Sequence, residues 1–140
     1  MSDKAQIQEL ISLYSYSASI RDYDALATMF TADARWETFG NPDFKFKHEQ
    51  PNLMQGLREV LEMSTVLTQM NAPAIIDVQG DSATAGCLIN ETGQMDAVNM
   101  RFSMFGRYND RLKKVDGRWL FEAREFTIMQ IHIGEITSQE

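Results

Sequence analysis

Two stretches of this chain carry groups able to move protons. "YSYSASIRDYD", residues 14–24, holds two carboxylates, three serines and three tyrosines. "CLINETG", residues 87–93, places Glu91 in an otherwise uncharged, strand-like run. A carboxyl taken into apolar surroundings is pushed toward its neutral form and becomes a usable general acid or base near neutral pH. Asp22 and Asp24 read differently. Asp22 stands where an N-cap belongs, before "YDALATMF", and Asp24 falls in the first helical turn, where a negative charge suits the helix dipole.

Strand alternation sorts the other candidates. If Glu91 faces inward, Ile89 and Cys87 share its face. The other reading of Glu91 is a solvated residue at an "NETG" turn. Along "AVNMRFSMFGRYNDRLKKV", Met104, Gly106 and Tyr108 share one face, with Arg101, Phe105 and Arg107 on the other. In "RWLFEAREFTIMQIHI", Glu122, Arg124, Phe126 and Ile128 alternate with Trp119, Phe121, Ala123 and Glu125. An inward Arg124 would be costly without an anion. Glu91, Glu122 or an acidic ligand would serve, and a salt bridge on the sheet face is the alternative. Tyr14 lies on a helical apolar stripe and reads equally as core or as substrate contact. Trp36 reads as pocket wall or core.

Several chemistries are excluded. His48 falls in a basic, turn-flanked segment read as exposed, and His132 lies near the end of the last strand. No HxxxH and no cysteine pair occurs, so no metal site is expected. No Gly-rich phosphate loop, Ser-His-Asp set or dinucleotide motif is present, and no cofactor is expected. A net charge of −7 argues against nucleic acid. No apolar run reaches membrane-spanning length, the N-terminus lacks an h-region, and the lone Cys87 suits a reducing compartment, so the cytoplasm is expected.

These groups need elements to hold them. A length of 140 residues suits one domain, 1–140. Ile7, Leu10, Ile11, Tyr14 and Ala18 recur at helical spacing, and Tyr23, Leu26 and Phe30 begin the next stripe. A third helix follows Pro51, with Leu53, Leu57, Val60, Leu61 and Ser64 on one side. "DARWETFG" and "FKFKHE" read as a short hairpin. "APAIIDVQ" and "SATAGCLIN" flank a Gly80-Asp81 turn, and Asp116-Gly117 joins the last two strands. An interior Gly106 marks a bend or bulge. Three helices and then four long antiparallel strands predict an α+β fold, with helices covering one face of a curved sheet.

"IQELISLYSYSASIRDYDALATMFTADARWE" resembles the opening of SnoaL-like proteins of the NTF2-like (cystatin-like) superfamily. "GRYNDRLKKVDGRWLFEARE" resembles their closing hairpin, and "MNAPAIIDVQGDSATA" fits the first long hairpin. The resemblance implies a cone of helices wrapped by a strongly bent, mostly antiparallel sheet around a deep apolar pocket. Members include scytalone dehydratase, bile-acid 7α-dehydratase, a dehydrochlorinase, polyketide cyclases, ketosteroid isomerase and pure binding or assembly domains. The fold therefore says where the site is, not what it does.

In the dehydratases and the dehydrochlorinase, an Asp ends helix one and a His precedes the first long strand. Counted along this chain, those positions are Ser19 and, within a couple of residues, Thr68. Neither they nor Leu67, Gln69 and Met70 supply the dyad. The bile-acid enzyme carries an Asp near the Glu91 position and a tyrosine matching Tyr14. The resemblance thus implies an isomerase, cyclase or lyase without the dyad, acting on a polycyclic, steroid-like or polyketide/terpenoid substrate. Glu91, Tyr108 and Tyr14 would be catalytic, with Tyr108 donating to a substrate carbonyl as superfamily phenols do. Ser19, Thr68, Trp36, Ile89, Met104, Arg124 and Phe126 would contact substrate. The alternative is a non-catalytic ligand-binding or assembly protein. Either form is expected to self-associate as a dimer or trimer.

Overall fold

The computed structural model describes residues 1–137. Helix α1 (Asp3–Ile20) starts at Ser2, whose hydroxyl accepts from the Ala5 N–H at 3.1 Å. It stops at Arg21, which takes the left-handed conformation at φ 62°. Asp22 then caps α2 (Tyr23–Ala27), accepting from the Ala25 N–H at 3.1 Å. Strand β1 (Phe30–Phe39) leads through a 3₁₀ turn at Pro42–Phe44 to the short β2 (Lys47–Glu49), and α3 (Leu53–Leu61) follows. The rest is strand: β3 (Val66–Asn71), β4 (Ile75–Gln79), β5 (Ser82–Met95), β6 (Met100–Val115) and β7 (Arg118–Glu135).

The strands form one sheet in the order β2-β1-β7-β6-β5-β3, with β4 pairing beside β5. All pairs are antiparallel except β1 with β7, which makes the sheet mixed. Helix α1 packs against β3, β4 and β7, burying Ile7, Ile11, Tyr14 and Ala18. The result is an α+β fold with helices against a large curved sheet. No helix among the described residues is long and apolar enough to cross a membrane.

Three sequence expectations change. Residues 66–71 form β3, which was not anticipated because its inward positions alternate Leu67 with a polar Gln69. "NETG" is not a turn: Glu91 lies inside β5, paired with Gln69 on one side and Met104 on the other. The turn comes later, at residues 96–99, where Asn99 has φ 50°. The simple alternation along β7 also fails. The register with β6 shifts between Arg111 and Leu112, leaving Glu122 as an extra residue. Trp119 and Phe121 therefore share the inner face with Arg124, Phe126 and Ile128, while Glu122 turns outward to Lys113 at 3.6 Å.

A second shift, between Phe105 and Gly106, leaves Met129 as the extra residue and bends the hairpin. Gly106 is needed there. A Cβ on it would stand 2.5 Å from the Thr127 carbonyl oxygen and 2.6 Å from the Phe126 ring. Backbone cannot retreat as a flexible side chain can, so Gly106→Ala should destabilise the fold by about 1–3 kcal/mol. A urea midpoint equal to wild type would show that the close approach is not needed.

Candidate functional site

The concave side of the sheet and the helices enclose about 720 Å³ of empty space, mouth included. Phe102, Met104, Phe126 and Ile128 line it from the sheet, and Leu57, Val60 and Leu61 from α3. Phe44 and Phe46 also line it. Thr38 fixes them: its hydroxyl donates to the Phe44 carbonyl at 2.7 Å and accepts from the Phe46 N–H at 2.8 Å. Arg21 ties the end of α1 to the end of α3, donating to the Leu61 and Ser64 carbonyls at 2.6 and 2.9 Å.

Among the described residues, Glu91 is the one charged side chain in this wall. Burial raises its pKa above the ordinary carboxylate value, opposed by a hydrogen bond from Gln69 and by the charge of Arg21. Gln69 Nε2 donates to the carboxylate at 2.9 Å, and the Gln69 carbonyl oxygen accepts from Ser15 Oγ at 3.4 Å. Ser19 completes the clamp through the backbone. Its hydroxyl accepts from the Gln69 N–H at 2.8 Å and donates to the Ser15 carbonyl at 2.8 Å. The chain Ser15–Gln69–Glu91 thus holds one carboxyl in one orientation.

A second polar group lies around Tyr108. Trp36 Nε1 donates to its hydroxyl at 3.0 Å, and Tyr14 stands edge-on at 6.0 Å between ring centroids. Burial pushes both phenols above the usual tyrosine value. His48 is not exposed as read: it is half-buried and stacks on Trp36, with centroids 6.2 Å apart.

Tyr14, Trp36, Glu91, Met104, Tyr108 and Phe126 line this one cavity. The other four named residues do not. Thr68 points to solvent on β3, because its neighbour Gln69 takes the inward place. Ser19 is committed to backbone. Ile89 is buried in the core without lining the cavity. Arg124 is fully buried and paired with neither Glu91 nor Glu122. Its Nε and Nη2 reach Asp110 at 2.7 and 3.0 Å.

Sequence reasoning missed Gln69, Ser15 and Asp110. Asp110 was within reach, since it lies two residues from the inward Tyr108. Regular pairing from the Asp116-Gly117 turn would set it opposite Ala123, however, and only the extra residue at Glu122 brings it opposite Arg124.

The SnoaL-like domain model matches residues 1–125. The chain belongs to the SnoaL-like domain family. No curated protein matches it. A Kribbella flavida protein superposes with a TM-score of 0.82 at 14% identity, covering 93% of each chain. A putative scytalone dehydratase from Novosphingobium aromaticivorans gives 0.73 at 22%, covering 94% of this chain and 91% of that one. A hexachlorocyclohexane dehydrochlorinase from Novosphingobium barchaimii gives 0.81 at 17%, covering 93% and 88%. At such identities the likeness is one of fold. In this SnoaL-like domain, serines and a glutamine meet between α1 and β3, and no histidine among the described residues lines the cavity.

A carboxyl whose folded pKa is raised binds its proton more tightly in the fold than in the unfolded chain. Its contribution is complete below the unfolded pKa and is lost as pH rises through the folded one. Glu91→Gln keeps the acceptor for Gln69 and removes that loss. The variant should therefore be more stable than wild type at pH 7, with the gap closing below about pH 4, under the usual carboxyl range. A gap independent of pH in urea titrations would contradict the burial of this charge.

Proposed function

We propose that this SnoaL-like domain is a cofactor-independent enzyme of the isomerase, cyclase or lyase kind, acting on an apolar, polycyclic substrate. One observation carries the reading: a single carboxyl, Glu91, with a raised pKa, held by Gln69 in an otherwise apolar cavity. A passive apolar pocket gains nothing from a desolvated carboxylate, which costs stability. As a base, Glu91 takes a carbon-bound proton beside a carbonyl and returns it elsewhere as the conjugate acid. Tyr14 and Tyr108 hold the substrate oxygen, while Trp36, Met104 and Phe126 pack the ring system. Steroid-like, polyketide or terpenoid ketones suit a cavity with this apolar, aromatic lining.

The chemistry can be followed without knowing the product. In D₂O, wild type should exchange the acidic C–H of a bound steroid enone or cyclic polyketide-type diketone, read by proton NMR. Glu91→Gln should slow exchange by about 10²–10⁴-fold, the usual worth of general acid–base help, while affinity stays within a few-fold. The wild-type rate should rise with pH through the pKa of Glu91, which burial holds above the usual carboxylate value. Equal exchange in the variant would remove Glu91 from the mechanism. Binding of these ketones without any exchange would instead favour a ligand-binding protein.

Self-association belongs to the same proposal. Leu88, Phe105 and Met129 are exposed on the strands β5, β6 and β7. Light scattering should give a dimer or trimer of the 16.0 kDa chain, and a monomer at micromolar concentration would rule this out.

A further inference from the structure

Behind the cavity lies a cation with no part in the acid–base reading. The Arg124 guanidinium is fully buried and stands over three aromatic faces: Tyr108 at 3.6 Å, Phe121 at 4.2 Å and Tyr14 at 4.3 Å. Asp110 holds it through two hydrogen bonds, and its Nη1 has no hydrogen-bond partner among the described residues. Arg124 does not line the cavity, but Tyr14 and Tyr108 do. Their rings stand on the guanidinium, and both residues line the empty space. A cation fixed in a low-dielectric interior acts strongly on what it touches.

The Tyr108 hydroxyl is oriented as well as polarised. An indole N–H can only donate, so the bond from Trp36 occupies an acceptor position on the Tyr108 oxygen. Tyr14 is the second hydrogen-bond partner of this hydroxyl, and no carbonyl or carboxylate among the described residues accepts from it. We propose that Arg124, locked by Asp110, is a positioning residue that polarises Tyr108, so that this end of the cavity receives the anionic oxygen of a phenolate or enolate. The inference deepens the reading of this cavity as a small-molecule site, but it does not require Glu91 to move a proton.

Three other groups bear on the same phenol. Arg124 lowers the Tyr108 pKa against the larger upward push of burial, Tyr14 also lowers it, and Glu91 raises it slightly. Tyr108 therefore keeps its proton at neutral pH and stays a donor. A purely structural ion pair would predict a stable core and no preference between the neutral and ionised forms of a ligand.

Naphthols of graded acidity test this, because their neutral and ionised forms differ in absorbance and fluorescence. Bound to wild type, each probe should ionise more readily than it does free in solution. The double substitution Arg124→Met with Asp110→Leu replaces the pair by apolar side chains, a change that buried ion pairs often tolerate. That protein should bind the neutral form as before and lose about tenfold of the preference for the anion, about one pKa unit of the bound probe. Arg124→Lys keeps the charge without the planar stack and should fall between.

Wild type that binds only the neutral naphthols, or none of them, overturns the inference. So does a folded double variant with its preference intact. If the double variant does not fold, Tyr108→Phe decides: it should lose a similar preference, and an unchanged bound pKa refutes the role. The Glu91→Gln protein should keep the anion preference even if isotope exchange fails, which separates this inference from the catalytic one.

Discussion

The bidentate bond between Arg124 and Asp110 constrains more of this protein than any other contact. A guanidinium with no exposed surface requires an anion in one place only, and breaking such a pair by losing one partner costs far more than an exposed bridge does. The two residues are direct neighbours across β6 and β7. Their pairing exists only because β7 carries one residue more than β6 on the turn side. The ion pair thus selects the bulged register over the regular one. That choice keeps Trp119 and Phe121 inside together with Phe126 and Ile128. A one-residue slip would instead exchange the two faces of the strand.

From this register follows the division of the cavity into two polar regions within an apolar wall. Around β6 and β7, a cation backs two phenols, and Trp36 orients one of them. Around β3 and β5, a carboxyl hangs from a glutamine that α1 holds in place. Their charges are opposite in sense; the guanidinium is fully buried and the Glu91 carboxyl half-buried. Ser19 closes the second region without entering it, because all of its hydrogen bonds go to backbone. The junction of α1 and β3 is thus neutral, and the ionisable side chain beside it is Glu91 on the neighbouring β5.

Much of the frame was legible in the sequence. Helical spacing identified Ile7, Ile11, Tyr14 and Ala18, and strand alternation placed Met104 and Tyr108 on one face, while the direction of Glu91 stayed open between an inward residue and a solvated turn. The resemblance of both chain ends to SnoaL-like proteins pointed to the fold. What stayed hidden has physical causes. β3 faces inward with a glutamine, so it lacks the alternation that marks a strand. Thr68 and Gln69 differ by one residue, and a count cannot decide which of two neighbours on a strand points in. The partner of Arg124 depended on a bulge, and a bulge in an otherwise regular apolar strand leaves no signature in residue type. Phe126 was placed correctly by parity, and Glu122 incorrectly, because Glu122 is itself the extra residue.

Trp36 has a use outside binding and turnover. The chain has two tryptophans. Trp119 bonds Asp3 at 3.0 Å and so reports whether α1 is docked. Trp36 touches a cavity phenol with its N–H and an imidazole with its ring face. Two indoles in such different surroundings give the protein a pair of internal optical reporters. Emission from one follows the seating of the first helix, and emission from the other follows the filling of the cavity, with no label attached.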